Sequence, residues 1–267
     1  MAHAPPSPAP LAGPRSRDPR GPWRVLVIAW LWVLVAWLGL LSLSWSLLAM
    51  LLHPVLPAAF GQRLGRAVIA WGYRFYWACG RASGLMRIDA SALDVLAQQP
   101  GGLIVAANHP SMADAMLIVA RLPRSVCIMK AGLQRNIFLG AGARLARYIA
   151  NDVPHLLVRG AVEELQAGAQ LVLFPEGTRS EGGRLQPLRG GIALIAQRAQ
   201  VPVQTVIIET DSPFLAKGWP IWRLPPVPMY HRLRLGQRFE PPAADDPHAP
   251  AALMQALKTH FEHELSR

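Results

Sequence analysis

Residues 25–52 read VLVIAWLWVLVAWLGLLSLSWSLLAMLL, without one charged side chain. As a helix this stretch rises about 42 Å, more than the roughly 30 Å hydrocarbon core of a bilayer requires. An uncharged run of that length restricts the fold more than any other feature of the chain, because it needs lipid or a very large core to cover it. Trp23, Trp30, Trp32, Trp37 and Trp45 add indoles, which favour the lipid–water boundary. The run is too long for the apolar region of a secretory leader, and the exit at Leu52-His53-Pro54 has no small-residue cleavage site. Upstream, residues 1–22 are Pro-rich, carry Arg15, Arg17 and Arg20, and hold little apolar surface to bury. They predict a disordered cytosolic tail.

His53, Pro54 and Pro57 end the first helix. The next apolar stretch, residues 55–79, mixes Arg63, Arg66 and Arg74 with Trp71, Tyr73, Phe75, Tyr76 and Trp77, the pattern of an interfacial helix. Arginines flank the apolar run on both sides, Arg15, Arg17, Arg20 and Arg24 before it and Arg63, Arg66, Arg74 and Arg81 after it. The positive-inside rule therefore orients no single span, whereas a hairpin dipping into the cytoplasmic leaflet satisfies both flanks. Residues 23–84 are accordingly expected to be membrane-embedded or interfacial helices.

Past residue 85 the pattern changes. Short β-prone runs at 103–107 (LIVAA), 126–129 (VCIM), 171–174 (LVLF), 203–208 (VQTVII) and 233–235 (LRL) alternate with helical stretches. The helices are expected at 112–121, 133–148, 161–167, 192–199 and 251–265. Alternation of this kind predicts an α/β domain over 85–267, with a mixed, mostly parallel sheet flanked by helices. Gly101-Gly102, Gly168, Gly182-Gly183 and Gly190-Gly191 punctuate its junctions. Residues 213–230 (PFLAKGWPIWRLPPVPMY), with five prolines and two tryptophans, read as a loop or a substrate-covering excursion.

The formal net charge of +11 calls for anionic partners. Nucleic acid is excluded as the preferred partner, because no zinc-finger, helix-turn-helix or RNA-recognition signature accompanies the charge. Two cysteines, Cys79 and Cys127, make neither a disulfide framework nor a metal knuckle. Cys127 lies in an apolar strand and reads as an inert core thiol. His260 and His263, on a polar helix face without ligands at metal spacing, read as solvated.

Two motifs carry chemistry. Asn108-His109-Pro110-Ser111-Met112-Ala113-Asp114 follows the LIVAA strand. On one uninterrupted helix His109 and Asp114 point about 140° apart. Pro110 suits the first helical position, which places His109 just ahead of the helix, able to fold back onto Asp114. One ring nitrogen bonded to that carboxylate fixes the tautomer and leaves the other free as a general base. No nucleophile elbow surrounds Ser111, which argues against a serine hydrolase.

The second motif, Phe174-Pro175-Glu176-Gly177-Thr178-Arg179-Ser180, ends the LVLF strand. Ligands of open α/β sheets bind at such carboxyl ends. Gly177 lets backbone approach a ligand, and Arg179 offers a planar fork to phosphate. Lys130, after the VCIM strand, and Arg189, ahead of the 192–199 helix, are further candidates for an anionic group.

Together NHPSMAD and FPEGTRS resemble the bacterial 1-acyl-glycerol-3-phosphate acyltransferase family, over roughly residues 100–210, and Val201-Pro202-Val203 resembles a further block of it. The resemblance implies that His109 and Asp114 are catalytic and that Asn108, Glu176, Gly177, Thr178 and Arg179 hold substrate, with Lys130 joining them as the candidate read from its place after a strand. It also implies a lyso-glycerolipid acceptor, most simply 1-acyl-sn-glycerol-3-phosphate, and acyl-CoA or acyl-carrier protein as acyl donor. No metal or organic cofactor is expected. The expected seat is the bacterial inner membrane, with the active site at its cytoplasmic leaflet. One departure stands out: where the family carries a phosphate-binding arginine, the stretch 146–152 (ARYIAND) offers Asn151 or Asp152, with Arg147 close by.

Overall fold

The computed structural model describes residues 16–180 and 185–266. The first fifteen residues of the expected tail, and Gly182-Gly183, lie outside the described residues. Residues 16–22 of the span expected as tail have defined contacts. Arg17 exchanges backbone hydrogen bonds with Val227 at 2.9 and 3.0 Å, Ser16 Oγ donates to the Asp211 carboxylate and to the Pro228 carbonyl, and a helix opens at Gly21.

That helix, α1 (Gly21–Leu52), is long and apolar enough, by length and composition, to cross a membrane. His53 and Pro54 end it, and α2 (Ala58–Ala82) turns back beside it. Both halves of α1 touch the domain that follows. Val27, Leu31 and Leu34 enter the main core, while Ala49 packs with Ala141 and Leu145. The opposite face, with Trp23, Trp30, Trp32, Leu47 and Leu51, is exposed.

The α/β domain continues β1 (Met86–Asp89), a 3₁₀ turn, α3 (Asp94–Gln98), β2 (Leu103–Ala107), α4 (Asp114–Val119), β3 (Ser125–Met129), α5 (Ala131–Gln134), α6 (Gly140–Leu145) and β4 (Ile149–Ala150). It closes with α7 (Pro154–Gln166), β5 (Gln170–Leu173), α8 (Gly191–Ala199), β6 (Val203–Thr210), β7 (Met229–Phe239) and α9 (Ala249–Leu265). The sheet order is β1-β7-β6-β2-β5-β3-β4, parallel throughout except for the antiparallel β6–β7 pair. β2 and β5, in the middle, are buried along their whole length, as expected where helices cover both faces. One core lies on each side: Leu117, Ile118 and Leu122 of the α4 region with α1 and α2 on one face, and Ala161, Leu165, Ile195, Leu257 and Phe261 on the other.

The helix expected over 133–148 is two short ones. Asn136 breaks it, its side chain accepting the Phe138 N–H at 2.9 Å in a local turn that competes with helix. α2 is docked on this region at closest backbone range, since a Cβ on Gly65 would stand 2.9 Å from the Ala146 nitrogen. Beside it the buried Arg66 guanidinium meets Glu164 of α7 at 2.6 Å and donates to the Ala146 carbonyl.

His231 on β7 is buried, and its Nδ1 finds no partner among the described residues. Burial pushes its pKa from 6.5 down to about 4, against a smaller upward pull from Asp211. Between those values the unfolded chain binds a proton that the folded chain refuses, so stability falls as pH drops through the window. At 1.36 kcal/mol per unit the loss approaches about 3 kcal/mol by pH 4. Thermal unfolding followed from pH 7 to pH 4 is expected to show that loss in the wild type and to lack most of it in His231→Phe.

Candidate active site

β2 delivers both the first motif and the means of fixing it. Asn108 is buried and clasps the neighbouring strand β6, its Nδ2 donating to the Ile208 carbonyl at 3.0 Å and its Oδ1 accepting the Ile208 N–H at 2.7 Å. This side chain continues the ladder where the backbone leaves the sheet. It acts as a structural clasp, both ends of its amide engaged by Ile208, where the resemblance implied a substrate contact.

The chain then turns sharply. Pro110 is not the first helical residue; α4 begins only at Asp114. Side-chain acceptors hold the intervening turn: the Ala113 N–H donates to Ser111 Oγ and the Ser111 N–H to Asp114 Oδ2, at 3.1 and 2.7 Å. The expected contact forms all the same, with His109 Nδ1 2.9 Å from Asp114 Oδ2. Because Oδ2 already accepts an N–H, Nδ1 carries the proton, and Nε2 presents its lone pair with no protein partner among the described residues. The Asp114 side chain is fully buried, whereas that of His109 keeps 17% exposure, so the pair reaches solvent only through the imidazole. Burial pushes the Asp114 carboxyl up, and the hydrogen bonds from His109 and Ser111 pull it back. The ring lies flat on Phe174, with centroids 3.9 Å apart and planes 15° from parallel.

Phe174 opens the second motif, which meets the first directly. Glu176 is buried; its carboxylate accepts the His109 N–H at 3.0 Å, the Ser180 hydroxyl at 2.9 Å and the Gln186 N–H at 2.8 Å. In return the Ser180 N–H donates to the His109 carbonyl at 2.8 Å. The backbone of the candidate base is thus gripped on both sides by the turn after β5. Glu176 is a buried clamp on His109, its carboxylate taken up by these three donors, where the resemblance implied contact with substrate.

The remaining candidates divide. Gly177 has φ +66, and a Cβ there would lie 2.4 Å from Arg189 Nε, so the glycine both permits the turn and admits the arginine over it. Thr178 is exposed beside it. Arg179 turns part of its fork inward, Nη1 donating to the carbonyls of Leu215 and Ala216 at 2.8 and 3.1 Å. Lys130 is exposed at the end of β3, and no hydrogen bond or ion pair joins it to either motif among the described residues. At the departure from the family pattern, Asn151 and Asp152 are exposed, and Arg147 turns toward Glu164 at 3.6 Å. Among the other residues, burial pushes the Cys127 thiol up to about 12, which keeps it protonated. His260 is not solvated as expected, because its Nε2 bonds Thr205 Oγ1 at 2.9 Å. Ser111, Phe174 and Ser180 also hold the site, though neither motif's residue types assign them a role.

The clamp has a measurable consequence. Glu176→Gln puts an amide NH₂ where three donors converge, leaving a buried donor without an acceptor at a cost of about 1–3 kcal/mol. Turnover of whatever reaction His109 serves is expected to fall about tenfold, 1.4 kcal/mol in that range, with the KM for the acceptor unchanged. A rise in KM at constant kcat would mean that Glu176 binds acceptor instead.

Residues 88–209 match the family model described as Acyltransferase. Curated relatives include the 1-acyl-sn-glycerol-3-phosphate acyltransferase of Helicobacter pylori, 30% identical over 115 residues, which are 40% of this chain and 48% of that one. The human 1-acyl-sn-glycerol-3-phosphate acyltransferase alpha is 28% identical over 125 residues, 43% of each chain. The chain spans about half the length of the curated relatives it matches. Among solved structures, the 1-acyl-sn-glycerophosphate (LPA) acyltransferase PlsC of Thermotoga maritima superposes with a TM-score of 0.57 at 19% identity, covering 85% of this chain and 96% of that one. That likeness shows the fold, which in this chain is a mixed, mostly parallel sheet with helices around it and a long apolar helix ahead of it.

Proposed function

Residues 88–209 form a domain of the acyltransferase family, and from that premise we propose that this chain moves a fatty acyl group from an acyl thioester to the hydroxyl of a lyso-glycerolipid. The acceptor named by its relatives, 1-acyl-sn-glycerol-3-phosphate, is the simplest one, and phosphatidic acid is then the product. One observation carries the reading: an imidazole with Nδ1 held by a buried carboxylate and Nε2 without a protein partner among the described residues, at a strand end gripped by the second motif.

The steps follow from that geometry. The acceptor hydroxyl gives its proton to His109 Nε2 as its oxygen attacks the thioester carbonyl, and Asp114 stabilises the imidazolium. The new C–O bond forms, the tetrahedral adduct collapses, and the C–S bond breaks. A thiol with a reference pKa near 8.5 leaves readily as thiolate and takes the proton back from His109. For the oxyanion, the Gly177 N–H is already spent on the Phe174 carbonyl, while those of Thr178 and Arg179 have no acceptor among the described residues. They are the donors of choice. Arg189 over the Gly177 turn and the part of the Arg179 fork without a partner among the described residues offer charge to a headgroup phosphate. The chemistry so written uses acyl-CoA or acyl-carrier protein as donor substrate and no metal or organic cofactor.

Membrane attachment at the cytoplasmic leaflet of a bacterial inner membrane suits substrates that are lipids. The hairpin form of the anchor is supported by α1 itself, since a helix packed against one domain near both its ends does not place those ends on opposite sides of a bilayer. Arg147 held at Glu164, and Asn151 and Asp152 at the family's arginine position, favour a second acceptor class, a lyso-lipid without a terminal phosphate.

The deciding experiment incubates the protein with labelled acyl-CoA or acyl-carrier protein and a panel of lyso-lipids with and without a phosphomonoester. Labelled diacyl product from any lyso-lipid supports acyl transfer, and its identity names the acceptor. Free fatty acid in equal amount with and without acceptor would make the protein a thioesterase, and inert thioester would make it a lipid-binding protein.

A further inference from the structure

Residues 212–228, between β6 and β7, belong to no strand or helix, yet they are tied to both motifs. Ser111 Oγ donates to the Phe214 carbonyl at 3.2 Å, the Met112 N–H to the Leu215 carbonyl at 3.1 Å, and Arg179 to Leu215 and Ala216. The outer end of the segment points the other way. Trp222 is 75% exposed and Ile221 43%, two adjacent apolar side chains left open at the tip.

We propose that this segment is a second lipid-docking surface, which seats the mouth of the His109 site on the headgroup layer of an anionic bilayer. The inference rests on the membrane-bound reading above. Three observations select lipid as the occupant. First, the tip is continuous with the apolar helix: Ile221, Trp222 and Leu224 share a shallow groove with Ile28, Leu31 and Trp32 of α1. Second, the segment has no acidic residue, while Lys217 and Arg223 supply positive charge to a chain already at +11. Third, the Arg223 guanidinium lies 4.2 Å from the centre of the Trp219 ring, so cation and indole occupy one level, as they do at a headgroup boundary. Because the stem is bonded to Ser111, Met112 and Arg179, inserting the tip fixes the height of His109 above the lipid. An acceptor then reaches the imidazole without leaving the leaflet.

An environment-sensitive fluorophore tests the placement. In the full chain carrying Cys79→Ser and Cys127→Ala, single labelling cysteines are introduced as Trp222→Cys, as Ile221→Cys and, on the exposed face of α1, as Leu51→Cys. Each protein is reconstituted into vesicles of phosphatidylcholine with phosphatidylglycerol. Labels at 221 and 222 are expected to show blue-shifted emission, quenching by brominated lipid and protection from iodide. If the Leu51 label enters lipid while those at 221 and 222 stay open to iodide, the docking surface is wrong and the membrane-bound reading stands. If all three stay in water, both fall. Protection at 221 and 222 that fades as protein is diluted into excess lipid would identify a second copy of the chain as the occupant and overturn the proposal.

Discussion

Replacing His109 by alanine is expected to lower acyl transfer by about 10³-fold, within the 10²–10⁴ that a positioned general base contributes. The fold should survive. The ring sits at the end of β2 with one edge open, and its backbone N–H and carbonyl remain clamped by Glu176 and Ser180 whatever the side chain. The truncation leaves a slot between Phe174 and the Asp114 carboxylate of the shape of the lost ring. Free imidazole added at millimolar concentration is therefore expected to restore part of the turnover in His109→Ala and none in the wild type. Rescue separates a missing base from a damaged fold, because a small molecule does not repair packing. Undiminished transfer by His109→Ala, measured as labelled diacyl lipid, would end the proposed mechanism.

The elements that place His109 are unequally legible in the sequence. The middle strands could be read because burial on both faces writes a continuous apolar run, and LIVAA at 103–107 is that strand to the residue. β1 and β4 escaped: MRID has one buried residue in four, and Ile149-Ala150 is a two-residue edge whose partner is β3. β7 extends well beyond LRL: at one end buried Met229 and His231 alternate with half-covered Tyr230 and Arg232, and at the other Gly236, Gln237 and Arg238 carry no apolar run. The helix expected over 133–148 failed at Asn136, where a side chain outbids the helix for a backbone donor.

The site divides along the same line. The His109–Asp114 pair is local, five residues apart, so spacing alone could suggest it. The roles of Asn108 and Glu176 depend on partners far along the chain, at Ile208 and His109, brought near only by the order of strands in the sheet. A buried carboxylate holding three donors and a solvated one binding a headgroup have the same letters in the sequence. Only burial tells them apart.

Asp114→Asn tests the other half of the pair, and its outcome turns on which way the amide settles. The Ser111 N–H, 2.7 Å from Oδ2, needs an acceptor, so the amide oxygen takes that place and the NH₂ goes to the position of Oδ1, which has no partner among the described residues. His109 then keeps its proton on Nδ1 and its lone pair on Nε2. The tautomer survives, and what disappears is the negative charge beside the imidazolium. At a separation near 4 Å and an effective dielectric of about 20, that charge is worth up to about 4 kcal/mol to the transition state. Since 1.4 kcal/mol is tenfold in rate, kcat is expected to fall by about 10²–10³. The KM for acceptor should hold, because the Asp114 side chain is fully buried behind His109. Thermal stability should change little: the variant removes a buried charge whose desolvation pushes the carboxyl up, and adds an unpaired NH₂ of comparable cost. A fall in melting temperature that tracks the lost activity would make Asp114 a structural acid of the turn. A raised KM at constant kcat would place it in contact with substrate, which the buried carboxylate forbids.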